Sequence, residues 1–94
     1  MQLNTHQNKA ALDESTVMRV VCEWINKARG RVYTIKAGRI CAALGYGADS
    51  AWCRVVVKKI LFARLVDCLV TEIQVKIGML VDVEKARRIC KKLS

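Results

Sequence analysis

Apolar residues recur every three or four positions over several stretches of the chain, and this spacing predicts amphipathic helices. The first predicted helix covers residues 13–29 and ends before Gly30, a residue type that commonly follows a helix. Asp13 and Glu14 suit its start, where the helix dipole favours negative charge. Its predicted buried stripe contains Val17, Val20, Val21, Trp24, Ile25 and Ala28.

Residues 49–64 form the most informative predicted helix, which Asp49 or Ser50 would cap with a side-chain oxygen. Its predicted buried face contains Cys53, Val56, Val57, Ile60 and Arg64. The opposite face contains Ala51, Arg54, Val55, Lys58, Lys59 and Phe62, and it has no acid. Such a basic face suits the DNA major groove, while a face that is merely solvated is the alternative.

A shorter helix is predicted immediately before this one. Residues 31–35 are β-prone and predict a short strand, and helical spacing returns over residues 36–44. Thr34 is a candidate cap, and Gly45 ends the helix in a glycine-rich turn over residues 45–48. Two helices joined by a tight turn are the pattern of a helix-turn-helix.

The hydrophobic period changes after residue 64. Apolar and other residues alternate over residues 73–81, which predicts a strand with one buried face. Residues 65–70 would pair with it through a turn at residues 70–72. Asp82 is then predicted to cap a last helix over residues 83–93. The cations of that helix, which also suit the negative end of its dipole, are Lys85, Arg87, Arg88, Lys91 and Lys92.

Composition bounds the class of protein. The 94 residues predict one domain over residues 13–94 after a flexible polar tail over residues 1–12. The predicted class is α+β and mainly α. Without an apolar run of membrane length or a signal-type start, we expect a soluble intracellular protein. The net charge of +9 implies a polyanionic partner, and nucleic acid is favoured over a membrane because the cations are spread over several elements.

The cysteines do not have metal-site spacing. None of the five forms a Cys-x-x-Cys pair, and the only histidine, His6, lies in the tail, so we predict no metal and no cofactor. Four of them fall on or beside apolar stripes: Cys22, Cys41, Cys53 and Cys90. We interpret these as buried thiols. Disulfides are the alternative, and they would suit an intracellular protein of a hyperthermophile.

The sequence offers little for catalysis, because no histidine lies on a predicted element and the acids are scattered. We therefore predict a protein that is not an enzyme. Two blocks of cations lack nearby acids, which favours binding of nucleic acid over simple solvation. The first block contains Lys27, Arg29, Arg31, Lys36 and Arg39, and would anchor phosphates. The second contains Arg54, Lys58, Lys59 and Arg64 on the third helix.

The predicted order of elements resembles the winged-helix variety of helix-turn-helix domain found in many small archaeal and viral DNA-binding proteins. The residues that carry the resemblance are YTIKAGRICAALG at positions 33–45 and MLVDVEKA at positions 79–86. The resemblance implies a three-helix core, a two- or three-stranded β-wing and a C-terminal helix.

The resemblance also implies which residues contact DNA. The third helix would be the recognition helix, with Ser50, Ala51, Arg54, Val55 and Lys58 facing base edges and Lys59 nearer phosphate. Lys36 and Arg39 at the start of the second helix would meet the backbone, as would Arg31. The wing departs from the family pattern, because Lys76 is its only cation and Glu72 adds an acid.

These observations predict a homodimer that binds double-stranded DNA and acts as a transcriptional regulator. Its predicted location is the cytoplasm, in association with the nucleoid, or the host cytoplasm if the protein is viral. The apolar hairpin would form the dimer interface, and a hairpin buried within a monomer is the alternative. One alternative is a sequence-independent chromatin- or RNA-associated protein, and another is a winged-helix adaptor that binds other proteins.

Overall fold

A computed structural model describes residues 11–71 and 78–93, which form a mainly helical α+β fold with four α-helices and a three-stranded antiparallel sheet. The elements are α1 (Glu14–Lys27), β1 (Val32–Ile35), α2 (Ala37–Ala43), α3 (Ala51–Leu65), β2 (Leu69–Thr71), β3 (Met79–Asp82) and α4 (Val83–Leu93). A 3-10 turn, Val66–Cys68, joins α3 to β2. The predicted turn over residues 70–72 is wrong for its first two residues, which belong to β2. Its last residue, the predicted tail up to residue 10 and Lys76 lie outside the described residues.

Side-chain caps begin three of the four helices. Asp13 accepts a hydrogen bond from the Thr16 backbone N–H at 2.8 Å, and Asp82 accepts one from Lys85 N–H at 3.0 Å. At α3 the cap is Ser50, whose hydroxyl accepts from Cys53 N–H at 3.2 Å. The predicted cap of α4 is confirmed. Of the two candidates at α3, Ser50 is the cap, because its oxygen accepts from a free N–H of the first turn.

α2 ends as predicted but begins differently. The backbone of Gly45 has φ +94°, its N–H donates to Ala42 O at 3.1 Å, and Tyr46 N–H donates to Cys41 O at 2.8 Å. This is the Schellman arrangement, in which glycine tolerates the left-handed conformation. The prediction of Thr34 as the cap is wrong, because Lys36 occupies the N-cap position and its side chain makes no capping bond.

β3 is the central strand of the sheet, in the order β1-β3-β2. Val32 pairs with Asp82 and Ile35 with Met79, so β1 and β3 are aligned along their full length. The predicted strand over residues 65–70 is wrong at its start. Leu65 is the last residue of α3, because it continues the buried line of Val57 and Leu61, and the strand begins only after the 3-10 turn.

The core lies between the helices and one face of the sheet. Helix α1 contributes Val17, Met18, Val21 and Ile25, which are fully or almost fully buried. Trp24, predicted on this stripe, is half-buried and packs against the core from its edge. Among the described residues no polar or charged residue is buried, so the interior is held together by apolar packing.

Two disulfides connect the helices in pairs. Cys22 of α1 is bonded to Cys90 of α4, and Cys41 of α2 is bonded to Cys53 of α3. Their Cα atoms are 5.6 and 6.1 Å apart, because the apolar stripes of each helix pair face one another. The interpretation of these four residues as buried free thiols is therefore wrong, and the disulfide alternative is correct. Cys68 is a buried free thiol.

None of the helices in residues 11–71 and 78–93 is both long and apolar enough to cross a membrane.

Candidate nucleic-acid interface

Helix α3 packs on the core through a single line of residues spaced by four. These are Cys53, Val57, Leu61 and Leu65, all fully buried. The predicted buried face was therefore rotated. Arg64 is exposed, and Val56 and Ile60 are only half-buried. A step of four residues advances about 400° around a helix of 3.6 residues per turn, which is about 40° more than a full turn. The line from Cys53 to Leu65 therefore shifts around the helix axis at each step, away from the face that contains Ile60 and Arg64.

The outward face of α3 lies opposite that buried line. At about 100° per residue, Trp52 and Lys59 point most directly away from the core, with Val55 next to them. Trp52 is 62% exposed and Val55 is 51% exposed, the largest values among the described bulky apolar residues of this helix. Arg54 and Lys58 lie to one side of this centre, and Lys58 is half-buried.

The predicted DNA-binding residues are mostly exposed. Ala51, Arg54, Val55 and Lys59 of α3 and Arg31, Lys36 and Arg39 before and within α2 are exposed, whereas Ser50 and Lys58 are half-buried. The hydroxyl of Ser50 already accepts the capping hydrogen bond of α3. Lys76 falls in the part of the chain that is not described.

Arg54 lies against the first turn of α2. A Cβ placed on Gly38 would be 3.7 Å from Cδ of Arg54 and 3.1 Å from the backbone oxygen of Ala48. The absence of a side chain at Gly38 therefore lets the turn and the Arg54 stem approach α2 closely. Gly38 lies between Lys36, the N-cap residue of α2, and Arg39 in sequence, so Arg54 of α3 packs on the turn of α2 that carries these two cations.

Arg64 is bound to an acid. Its guanidinium donates two hydrogen bonds to the carboxylate of Glu14, so the start of α1 and the end of α3 are joined by a bidentate ion pair. These bonds lower the pKa of Glu14 and raise the pKa of Arg64. The prediction that this cationic block lacks a nearby acid is wrong for Arg64, because Glu14 is 50 positions away in sequence.

Arg87 on α4 forms hydrogen bonds with the backbone at the C-terminal end of α1. Its guanidinium donates to the backbone oxygens of Ala28 at 2.7 Å and Ile25 at 3.4 Å. Ala28 is the C-cap residue of α1, and the Ile25 oxygen also accepts from the Ala28 backbone N–H at 3.1 Å, so Arg87 adds a side-chain donor where the helical N–H groups end. The neighbouring Arg88 pairs instead with Glu84 across one turn, at 3.7 Å. The sequence placed Arg87 among the surface cations and gave no local signal of this contact.

Tyr46 and Trp52 form an aromatic pair at the entry to α3. Their ring centroids are 5.9 Å apart and the planes are inclined by 59°. Tyr46 is half-buried and follows Gly45 in the turn, whereas Trp52 is exposed on the first turn of the helix. The pair therefore fixes the orientation of the indole on the outward face of α3.

A groove is present on the surface of the described residues. It has a volume of about 530 Å³ and lies beside α1, where the Cys22–Cys90 disulfide and the Glu14–Arg64 pair line it. Arg19 and Glu23 also line the groove, and Glu14 and Arg64 bind each other. No group of three or more metal-ligating side chains occurs within residues 11–71 and 78–93.

No protein-family model, curated protein or solved structure matches this chain.

Proposed function

We propose that this protein binds double-stranded DNA in the manner of a winged-helix domain, with α3 as the recognition helix. A role as a transcriptional regulator follows if the binding is sequence-specific. The observation that carries the proposal is the cationic surface that continues from α2 onto α3. Arg54 packs along Gly38 there, next to Arg39, and Lys59 projects from the outward face.

The topology supports the same proposal. The chain runs α1-β1-α2-α3-β2-β3-α4, and β3 lies between β1 and β2 in the sheet. This is the order of elements that the winged-helix resemblance implies. β2 and β3 would then be the strands of the wing, with Lys76 between them in sequence.

The arrangement of charge suits a duplex. Cations on α2 would contact phosphates while α3 enters the major groove, and phosphate contacts set the orientation of such a helix. Asp49 is an exposed acid at the N-terminal edge of this surface, one residue before the Ser50 cap. Within α3 itself the sequence contains no acid, so phosphate repulsion is confined to that edge.

Arg54→Ala and Lys58→Ala test the recognition helix. Each variant is expected to weaken binding to duplex DNA and to reduce the slope of log affinity against log salt by about 0.9 per lost phosphate contact. Arg88→Ala removes the same charge from α4 and is the matched control, with affinity close to wild type. Circular dichroism verifies that the fold is retained. Wild-type affinity in both α3 variants would overturn the proposal.

The same titrations separate the alternatives. A sequence-specific regulator retains a selected site against excess random duplex, whereas a chromatin-type protein does not. An RNA-associated protein prefers RNA over DNA of matched length. A protein-binding adaptor shows no salt-sensitive binding to either nucleic acid.

A homodimer is the second part of the proposal. Val66 and Val70, which flank the start of β2, are 50% and 51% exposed, so the beginning of the hairpin presents apolar surface. A two-fold dimer would place two copies of α3 about one DNA turn apart. Sedimentation measures the mass directly. A shift from dimer to monomer in Val70→Glu would support this interface, and a wild-type monomer at high concentration would exclude the dimer.

The disulfides constrain where such a protein could act. Structural disulfides are rare in the cytosol of mesophiles but occur in intracellular proteins of hyperthermophiles. We therefore propose that the protein acts at the nucleoid, or in the cytoplasm of a host cell if it is viral. The proposal requires a cytosol in which the Cys22–Cys90 and Cys41–Cys53 disulfides are not reduced.

A further inference from the structure

We infer that the apolar surface on the first turns of α3, formed by Ala51, Trp52 and Val55, contacts the C5-methyl groups of thymine in the major groove. We call these three residues the methyl-contact patch. The inference rests on the proposed DNA binding and adds to it a preference for methylated pyrimidines at the contacted positions. Val55 is the residue to which we assign the methyl contact.

The patch is exposed on a helix whose other side is buried in the core. Trp52 and Val55 are 62% and 51% exposed, whereas Cys53 and Val57 on the other side of the same helix are completely buried. Residues three apart on a helix are neighbours, so the indole and the valine form one continuous surface. Ala51 is four residues before Val55 and extends that surface toward the helix start.

The patch is also held rigidly. The Ser50 cap fixes the first turn of α3, and the Cys41–Cys53 disulfide ties that turn to α2. The ring contact with Tyr46 orients Trp52. A side chain that is fixed before binding loses less conformational entropy on contact, which favours a small apolar contact of defined position.

Charge decides which partner fits this surface. Arg54, Lys58 and Lys59 are interleaved with the patch on the same helix, and α3 contains no acid to neutralise them. An apolar protein partner would have to desolvate or pair these cations. A DNA duplex pairs them with phosphates, and the apolar group it presents in the major groove is the thymine methyl.

Val55 is better placed for the methyl than Trp52. Its short branched side chain lies between Ala51 and Lys59, one turn away on either side, so a base edge can approach it without moving a larger group. The indole of Trp52, held by Tyr46, forms one wall of the contact.

The test uses duplexes that differ only in the C5-methyl group. One pair is alternating A·T against alternating A·U, and the second is alternating I·C against the same duplex with 5-methylcytosine. The wild-type protein is expected to bind the methylated member of each pair about threefold or more tightly, as the burial of one methyl predicts. If the preference appears in both the A·T and the I·C pair, it cannot arise from the particular duplex shape of A·T sequences.

Substitutions then locate the contact. Val55→Ala is expected to lose the methyl preference, measured as the ratio of the two affinities within each pair, and Val55→Ile is expected to keep it. Val32→Ala, with an exposed valine on β1, is the control and retains the preference. A preference that persists in Val55→Ala would overturn the assignment to Val55.

The outcomes for the wild-type protein distinguish the two proposals. Equal binding of methylated and unmethylated duplexes would overturn the methyl contact and leave the proposed DNA binding intact. Absence of salt-sensitive binding to all four duplexes would overturn the proposed DNA binding and the methyl contact with it.

Discussion

Cys41 of α2 and Cys53 of α3 are joined by a disulfide in the interior, with their Cα atoms 6.1 Å apart. α2 has only seven residues, too few for a helix that is stable by itself. Its position therefore depends on what it is attached to, namely the disulfide, the Schellman turn at Gly45 and the close approach at Gly38. These attachments also fix Lys36 and Arg39 relative to α3.

The first prediction concerns thiol reactivity. Cys68 is 1% exposed and burial raises the pKa of its thiol, so the native protein should not react with iodoacetamide at neutral pH. After denaturation without reductant, mass spectrometry should find one modified cysteine. After denaturation with reductant it should find all five.

Cys68→Ala is the control for that count, and it should show no modification until reductant is added. Three or more modified cysteines without reductant would contradict at least one of the two disulfides.

The second prediction concerns acid. Hydrogen bonds from Arg64 lower the pKa of Glu14, so the unfolded chain binds this proton more readily than the folded one. The stabilisation by the ion pair is therefore present at neutral pH and is lost as the pH falls through the lowered pKa of Glu14. Glu14→Gln should lower the melting temperature slightly at pH 7 and not at pH 2, because exposed pairs contribute little.

Glu23→Gln is the matched control on the same helix, since Glu23 forms no ion pair with any described residue. It makes the same change in net charge as Glu14→Gln at pH 7 and none at pH 2, so any loss in Glu14→Gln at pH 7 beyond that in Glu23→Gln measures the ion pair. A Glu14→Gln variant that behaves like Glu23→Gln would contradict a stabilising role for the pair. Added salt should reduce the difference in melting temperature between Glu14→Gln and Glu23→Gln at pH 7, because salt screens the ion pair.

Local signals predicted the helices well. The spacing of apolar residues and Asp82 gave the bounds of α4, and Asp13 gave the start of α1, because periodicity and capping act within a few residues. The face of α3 was rotated in the prediction. A stripe of three- and four-residue steps does not distinguish Ile60 from Leu61 until the neighbouring helices are placed.

Contacts between distant residues were not predictable from one sequence. Arg64 and Glu14 are 50 positions apart, and Arg87 and Ala28 are 59 apart. Both arginines look like surface cations when only their own helix is considered. The cysteine pairs are another example, since apolar spacing showed that each cysteine faces inward but gave no partner.

The third prediction concerns the cap that Arg87 provides. Arg87→Ala removes the side-chain donor to the Ala28 oxygen at the end of α1, and it should lower the free energy of unfolding by about 1 kcal/mol in urea denaturation. Arg87→Lys should recover only part of that loss, because an ammonium cannot span several oxygens as a guanidinium fork does. Arg88→Ala, an exposed substitution on the same helix, should change stability by less than about 0.5 kcal/mol. Equal stability of the two alanine variants would contradict the cap.

The fourth prediction concerns Gly78, which precedes β3 and lies against the end of β1. A Cβ at this position would be 2.7 Å from Cγ2 of Thr34 and 3.1 Å from the backbone oxygen of Ile35, so Gly78→Ala forces β1 and β3 apart. The expected loss is about 1–3 kcal/mol in the free energy of unfolding, measured by urea denaturation. Gly47→Ala is the matched control, because its nearest atom would be 3.9 Å away, an ordinary contact.

A second substitution makes the cause of the Gly78 effect measurable. Thr34→Ser removes Cγ2 and should restore part of the stability lost in Gly78→Ala, while the contact with the backbone oxygen of Ile35 remains. Because the two side chains would be in contact, their effects should not add, and the double-mutant cycle should give a coupling above about 0.5 kcal/mol. Strict additivity, or a Gly78→Ala variant as stable as Gly47→Ala, would contradict the close packing of β1 on the start of β3.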